Sequence, residues 1–298
     1  MTTTTTRTDL YARVTACIVA DLERGVRPWL QPWQAGSTAG RVSRPLRHNG
    51  MPYRGVNVLI LWGEATAKGY ASSIWMTFQQ ATTLGAHVRK GEHGTLVVYA
   101  DTFTTTKTTD EGEAVERRIP FLKSYTVFNV TQIAGLPAQY AAQPTPPGDP
   151  LLLLERAEQF FAATGAVIRH GGDQAYYSPS RDVIQLPLPE AFHNIESYEA
   201  TKAHELLHWT KIATRLNRDF GGKRFGDAGY SCEELVAELG AAFLCADLGI
   251  TPEPREDHAA YLASWLRVLR ADTRAIFTAA AHAQRAVDYL HGVQEGRA

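Results

Sequence analysis

Cysteine is scarce. Cys17, Cys232 and Cys245 are the three present in 298 residues, an odd number with no CxxC pair. That pattern argues against a disulfide scaffold or a thiolate zinc site, and leaves reduced, buried thiols as the expectation. Long apolar stretches are missing too: runs such as Val58 to Trp62 and Leu151 to Leu154 fall far short of the roughly 20 residues that cross a bilayer. Met1, five threonines and Arg7 open the chain without the apolar region of a signal peptide, so a cytoplasmic protein with no membrane partner is expected. There is no internal repeat, no Walker loop and no GxGxxG after a strand-like run, which sets aside solenoids and the common nucleotide-binding folds.

Net charge is nearly absent as well, at −1. The halves differ, however. Residues 1–140 hold 15 Lys/Arg against 10 Asp/Glu, and residues 141–298 hold 15 against 21. Five of the first half's acids lie between Asp101 and Glu116; outside that stretch it has 14 basic and 5 acidic residues. Such asymmetry points to polyanion binding by the first half.

The composition, 44% hydrophobic and 20% charged, is that of a globular chain long enough for two cores. Five prolines between Pro137 and Pro150 mark a semi-rigid linker. The expected division is therefore 1–136, a linker over 137–150, and 151–298. Periodicity predicts an α+β first half: helices over 9–24, 57–68 and 77–84, a strand near 73–76, and strands at 95–99 and 119–130 joined by a long loop over 102–116. The second half reads as a helix at 151–163, short strands at 166–169, 175–177 and 182–186, then helices near 197–214, 231–248, 257–271 and 273–291.

The sharpest local feature is His204-Glu205-Leu206-Leu207-His208, an HExxH on a segment of helical apolar spacing. On a helix, residues i and i+4 share a face, so both imidazoles reach one Zn²⁺, with Glu205 beside the attacking water as general base. Composition alone would produce the pattern in only about 0.02 of such chains. A catalytic zinc site wants a third protein ligand. Cys232-Glu233-Glu234-Leu235-Val236-Ala237-Glu238 offers Glu234 and Glu238 on one face of the next helix. A metal would satisfy Glu234 and an imidazole N–H would satisfy Glu238, with Glu233 the alternative in register.

HELLH followed by EELVAE resembles the gluzincin arrangement. By that resemblance His204, His208 and Glu234 are the zinc ligands, Glu205 the general base and Glu238 the acid behind a ligand. The resemblance also implies that the strand Asp182 to Leu186 is the edge that pairs with an extended substrate. Tyr176, Tyr177, Tyr230 and His258 are unranked candidates for stabilising the oxyanion.

In the first half, Arg41, Arg44, Arg47 and Arg54 alternate with His48, Tyr53 and turn residues, without an acid. Trp29 and Trp33 precede this segment, and Arg89-Lys90 sit in a later turn. A cationic loop with aromatics suits phosphates and stacked bases. Trp62 and Trp75 lie in apolar patterns and are expected in the core.

The runs PWLQPW, YRGVNVLILW and IWMTFQQATTLGAHVRKGEHGTLVVY, followed by an HExxH domain, are similar to the ArdC-type antirestriction proteins of conjugative plasmids. The resemblance spans nearly the whole chain. It implies a single-stranded-DNA-binding domain before a zincin-like metallopeptidase domain, with Zn or another divalent metal such as Mn as cofactor. It also implies single-stranded DNA and a host protein as partners, and protection of incoming DNA from restriction. Two other readings stand beside it: a general cytoplasmic zinc metallopeptidase whose first half recognises substrate, and a DNA-binding protein with a structural metal.

Overall fold

The computed structural model describes residues 9–29, 43–108, 114–140, 150–221, 227–251 and 258–296. Asp9 caps the first helix, α1 (Leu10–Glu23), by accepting the Tyr11 N–H at 2.9 Å, and the helix buries Val14, Ile18 and Leu22. After β1 (Leu46–Arg47) comes α2 (Val56–Lys68), ended by Gly69 at φ 65°, a left-handed conformation that glycine adopts without steric cost. Next come β2 (Ile74–Thr77), α3 (Phe78–Thr83), β3 (His87–Val88), β4 (Thr95–Thr108), β5 (Ala114–Asn129) and β6 (Ile133–Ala134). Four of these strands make one sheet in the order β1-β2-β5-β4, and β3 pairs with β6 as a separate ribbon.

The expected loop over 102–116 is instead mostly paired strand: the β4–β5 ladder runs unbroken from Thr95↔Val127 to Thr108↔Ala114. Threonine is β-branched and favours the extended backbone, a preference that outweighs the hydrophilicity that made the segment look like a loop.

The second half contains α4 (Pro150–Ala163), β7 (Val167–His170), β8 (Tyr176–Ser178), β9 (Val183–Leu186), α5 (Ile195–Trp209), α6 (Ala228–Leu248), α7 (His258–Ala271) and α8 (Ala275–Gln294). Its sheet has the order β7-β9-β8. The strand expected at an edge, Asp182 to Leu186, is therefore the central one, parallel to β7 and antiparallel to β8. Ile184 and Leu186 are fully buried, which favours a strand covered on its flanks. Pro187 and Pro189 lie beyond the last paired residue and remove no ladder bond.

α5 ends at Trp209 rather than near residue 214, because the chain turns back at Thr210. Arg218 donates its N–H to the Lys211 carbonyl at 2.8 Å, through a turn in which Asn217 has φ 46°.

The main core does not divide at the proline-rich segment. A continuous apolar cluster joins Leu22, Trp29, Leu59 and Trp75 to Leu207, Leu239, Phe243 and Trp265, and a smaller one gathers around Met76 and Val130. Trp62 packs on Phe243 at 5.9 Å. Thr15 donates to the Thr273 carbonyl, and Tyr11 meets Phe277 edge-on.

α5 and α6 are in close contact at Gly240, where an added Cβ would lie 2.4 Å from Leu207 Cδ1 and 2.7 Å from its Cγ. Leu207 is fully buried, so the methyl has nowhere to go. Gly240→Ala is expected to lower stability by about 1–3 kcal/mol through overpacking, measured by chemical denaturation; unchanged stability would show that the two helices separate freely.

Candidate metal centre

Two capped helices set the site. Asn194 Oδ1 accepts the Ser197 N–H at 2.8 Å to start α5, and Asp227 Oδ1 accepts the Tyr230 N–H at 2.7 Å to start α6. Capping side chains satisfy amides that a helix start leaves without partners. With Gly240 permitting close contact, the polar faces of both helices meet inside an apolar shell.

His204 Nε2 and His208 Nε2 are 3.2 Å apart, and each is 3.5 Å from an oxygen of Glu234. Ligand bonds of about 2.0–2.2 Å in a tetrahedron require donors roughly 3.3–3.5 Å apart. Glu234 faces His204 through Oε2 and His208 through Oε1, and one donor atom from each of the three residues lies within 4.8 Å of the others, close enough to converge on one ion; two imidazoles with one carboxylate form a donor set suited to a divalent cation. All three are buried, as is Glu205 between the histidines.

A carboxylate lies behind each imidazole, within hydrogen-bond distance for His208 and just beyond it for His204. Glu233 Oε1 lies 3.0 Å from His208 Nδ1, and Glu238 Oε2 lies 3.7 Å from His204 Nδ1. Carboxylates at both Nδ1 atoms favour the tautomer whose Nε2 lone pair faces a metal. Glu233 is fixed in turn by Arg218, whose Nε and Nη2 donate to its two oxygens at 2.8 and 2.9 Å. The guanidinium also donates to Thr210 Oγ1 and to the Leu207 carbonyl, so the turn after α5 is tied to the site through one buried side chain. Glu238 Oε1 accepts the indole N–H of Trp29 at 3.2 Å, a support supplied by the first half of the chain.

The cluster's electrostatics follow from burial and mutual contact. Burial works against a charged His208, yet the facing Glu234 and Glu233 carboxylates push its pKa up to about 10. Burial alone would raise Glu233; hydrogen bonds from Arg218 and His208 bring it down to about 2. Glu234 is held far below the carboxylate range by His208 and His204 despite its own burial.

Of the unranked aromatics and His258, Tyr230 lies in this cluster: its hydroxyl is near Glu234 and 3.2 Å from that of Tyr261, and burial raises its pKa. Tyr177 is buried and donates to Asp182 Oδ1, while Tyr176 is exposed on β8. His258 begins α7.

The nucleic-acid candidates separate into groups. Arg41 and Trp33 lie outside the described residues. Arg47, Arg54, Arg89 and Lys90 are exposed, with Arg54 paired to Asp288 and Arg89 3.9 Å from Glu92. Three others are interior, against the expectation of a solvent-facing surface. Trp29 is 0% exposed, edge-on to Trp265 and bonded to Glu238. Arg44 is 6% exposed because Nε and Nη2 form a fork on Asp247, Nη1 donates to Gln284, and the guanidinium lies 4.6 Å over Phe243. Tyr53 is 3% exposed, beneath Arg47.

Sequence reading missed Arg218, which carries no local pattern, and treated Glu233 only as an alternative in register. Two consecutive acids on α6 were the available signal: Glu233 meets His208 at Nδ1 and Glu234 meets it at Nε2.

Residues 155–282 match the zincin-like metallopeptidase family, and residues 8–128 match the N-terminal domain of anti-restriction factor ArdC. An uncharacterized protein, y4eC, of Sinorhizobium fredii is 44% identical over 97% of this chain and 94% of its own length. Two DNA primases TraC of Escherichia coli are 38% and 37% identical over 94% and 92% of this chain, which spans only 27% and 19% of them. Crystal structures of the antirestriction protein ArdC from plasmid R388, metal-free and Mn(II)-bound, are 44% identical to the chain. They superpose with TM-scores of 0.80 and 0.77, over 97% and 96% of this chain and 98% of each of theirs. With both halves matched in order and a relative aligned along nearly its full length, the chain belongs to the ArdC family of antirestriction proteins and carries a zincin-like metallopeptidase domain.

Proposed function

We propose that this protein binds incoming single-stranded DNA through exposed cations of its first half, works in the cytoplasm of a cell receiving a conjugative plasmid, and hydrolyses a peptide bond at the His204–His208–Glu234 centre. The observation that carries the hydrolytic part is the spacing of those three ligands with Glu205 between the histidines. The ion is Zn²⁺, or Mn²⁺ as in the R388 relative. When bound, it supplies a Lewis acid that lowers the pKa of water and polarises the scissile carbonyl. Glu205 takes the proton of the attacking water and returns it to the leaving amine. Glu233 and Glu238 hold the histidine rings in the ligating tautomer throughout. Tyr230, next to Glu234, is the hydroxyl placed to donate to the developing oxyanion. A host protein is the proposed substrate.

Among the described residues no helix is long and apolar enough to cross a membrane. On the DNA side, Arg47, Arg54, Arg89 and Lys90 are the proposed phosphate contacts, and each should contribute about −0.7 to the slope of log affinity against log salt.

Glu205→Gln is the decisive variant. It is expected to retain stoichiometric metal while hydrolysis of a protein substrate falls by roughly 10²–10⁴. Cleavage at the wild-type rate would sink the peptidase reading. In a conjugation assay with a restricting recipient, loss of protection in this variant ties protection to hydrolysis, and retained protection assigns it to DNA binding.

A further inference from the structure

A groove of about 470 Å³ opens where the β4–β5 hairpin, the start of α2 and the first turns of α8 converge. Three arginines line it, Arg47, Arg54 and Arg274, with four aromatics and no carboxylate among its lining residues. Arg274 comes from the metallopeptidase-like half, at the N-cap of α8.

The groove is built on fixed backbone. Asn57 Oδ1 accepts the Val98 N–H at 2.8 Å and its amide donates to the Val98 carbonyl at 2.7 Å, pinning the edge strand β4 to α2. The register Val97↔Tyr125 and Tyr99↔Lys123 makes Tyr99 and Tyr125 diagonal neighbours on one face of the ladder. Such neighbours are about 7–8 Å apart, roughly two base thicknesses of a stacked strand. Their exposures, 49% and 36%, are high for large rings. Tyr53, interior itself, supports this wall: its ring lies 5.5 Å beneath the Arg47 guanidinium and its hydroxyl bonds to Tyr125. Arg274 lies 4.9 Å over the Tyr11 ring. Among the described residues neither Arg47 nor Arg274 pairs with an acid; Arg54 shares its charge with Asp288 at the groove's margin.

Cationic groups alternating with exposed, rigidly mounted rings are what an unpaired polynucleotide needs, since phosphates and base faces are then met together. We propose that this groove is the track of the single strand: Tyr99 and Tyr125 stack its bases, and Arg274 holds a phosphate together with Arg47 and Arg54. The DNA site is thus completed by the metallopeptidase-like half. This rests on the single-strand-binding reading above and adds to it a location and a contributor from the other half.

The test is a fluorescence anisotropy titration of the full-length, metal-loaded protein with labelled oligo(dT) at several salt concentrations. Arg274→Gln should weaken binding several-fold and lessen the salt slope by about 0.7. Tyr99→Ala should weaken it about tenfold with the slope unchanged. Arg285→Gln, an exposed position of α8 outside the groove, should match wild type. Should Arg274→Gln misfold, as judged by lost metal binding, Arg47→Gln carries the same expectation. Wild-type affinity and slope in Arg274→Gln and Tyr99→Ala, with the wild-type protein binding oligo(dT), overturn the groove and leave the single-strand reading standing. Failure of the wild-type protein to bind oligo(dT) overturns both.

Discussion

Arg218→Ala is expected to destabilise the metal-free protein by about 3–5 kcal/mol, the cost of stranding a buried carboxylate by removing its partner. Arg218 is almost wholly enclosed, and its four hydrogen bonds reach Glu233, Thr210 and the Leu207 carbonyl. Losing it leaves Glu233 with His208 alone, so the imidazole is no longer clamped in its ligating orientation. Metal affinity should therefore fall in parallel, by about 10–100-fold, as it does when outer partners of ligating histidines are removed. Arg218→Lys separates charge from geometry. It keeps a cation but not the planar fork that serves both Glu233 oxygens, and should recover part of the stability but little of the affinity. Denaturant titrations of the metal-free proteins and calorimetry with Mn(II) read the two effects. An Arg218→Ala protein as stable as wild type would mean that Glu233 is solvated or neutral in the fold.

Metal uptake should expel about one proton, and apparent affinity should rise about tenfold per pH unit, hence roughly a hundredfold between about pH 6 and pH 8. His208 in the metal-free cluster is pushed up to about 10 by Glu234 and Glu233, so it is protonated throughout that interval, and a cation must displace that proton to reach Nε2. The same shift sets a stability window. A pKa higher in the folded state than the ordinary value near 6.5 contributes stability that is complete below about pH 6.5 and is lost as pH rises through about 10. Metal-free protein should accordingly weaken toward alkaline pH, and metal should compensate there. Calorimetry in buffers of differing ionisation enthalpy counts the protons; none released, with affinity independent of pH, would mean that the histidines face the site already neutral.

What could be read from sequence was what is local. HELLH and EELVAE are each a short helical stretch, so i, i+4 spacing alone aligned His204 with His208 and Glu234 with Glu238, and the 24 residues between the motifs allowed a hairpin of helices. Pairings over long separations left no local trace. Arg44 and Asp247 are 203 positions apart, and a charge count treats both as surface when they neutralise each other inside. Trp29 sits among proline and arginine, a context that suggests an exposed loop, yet the indole is enclosed because Glu238 needs its N–H. Tyr53, an aromatic amid arginines, suggests a surface platform for bases, yet its ring is buried beneath Arg47. Thr102 to Thr108 misled in the opposite sense: their polarity argued for a loop while their β-branching continued the ladder.

The Trp29–Glu238 and Arg44–Asp247 bonds bear on how this protein could be recombined. A crossover in the proline-rich segment would deliver a second half whose Glu238 has no indole behind it and whose Asp247 has lost the guanidinium fork that neutralises it. Fusing the first half to a foreign partner would leave Arg44 and Trp29 with nothing to cover them. The transplantable genetic unit is therefore the pair of halves together, and shuffling that respects only the linker would break the very contacts that let the chain fold.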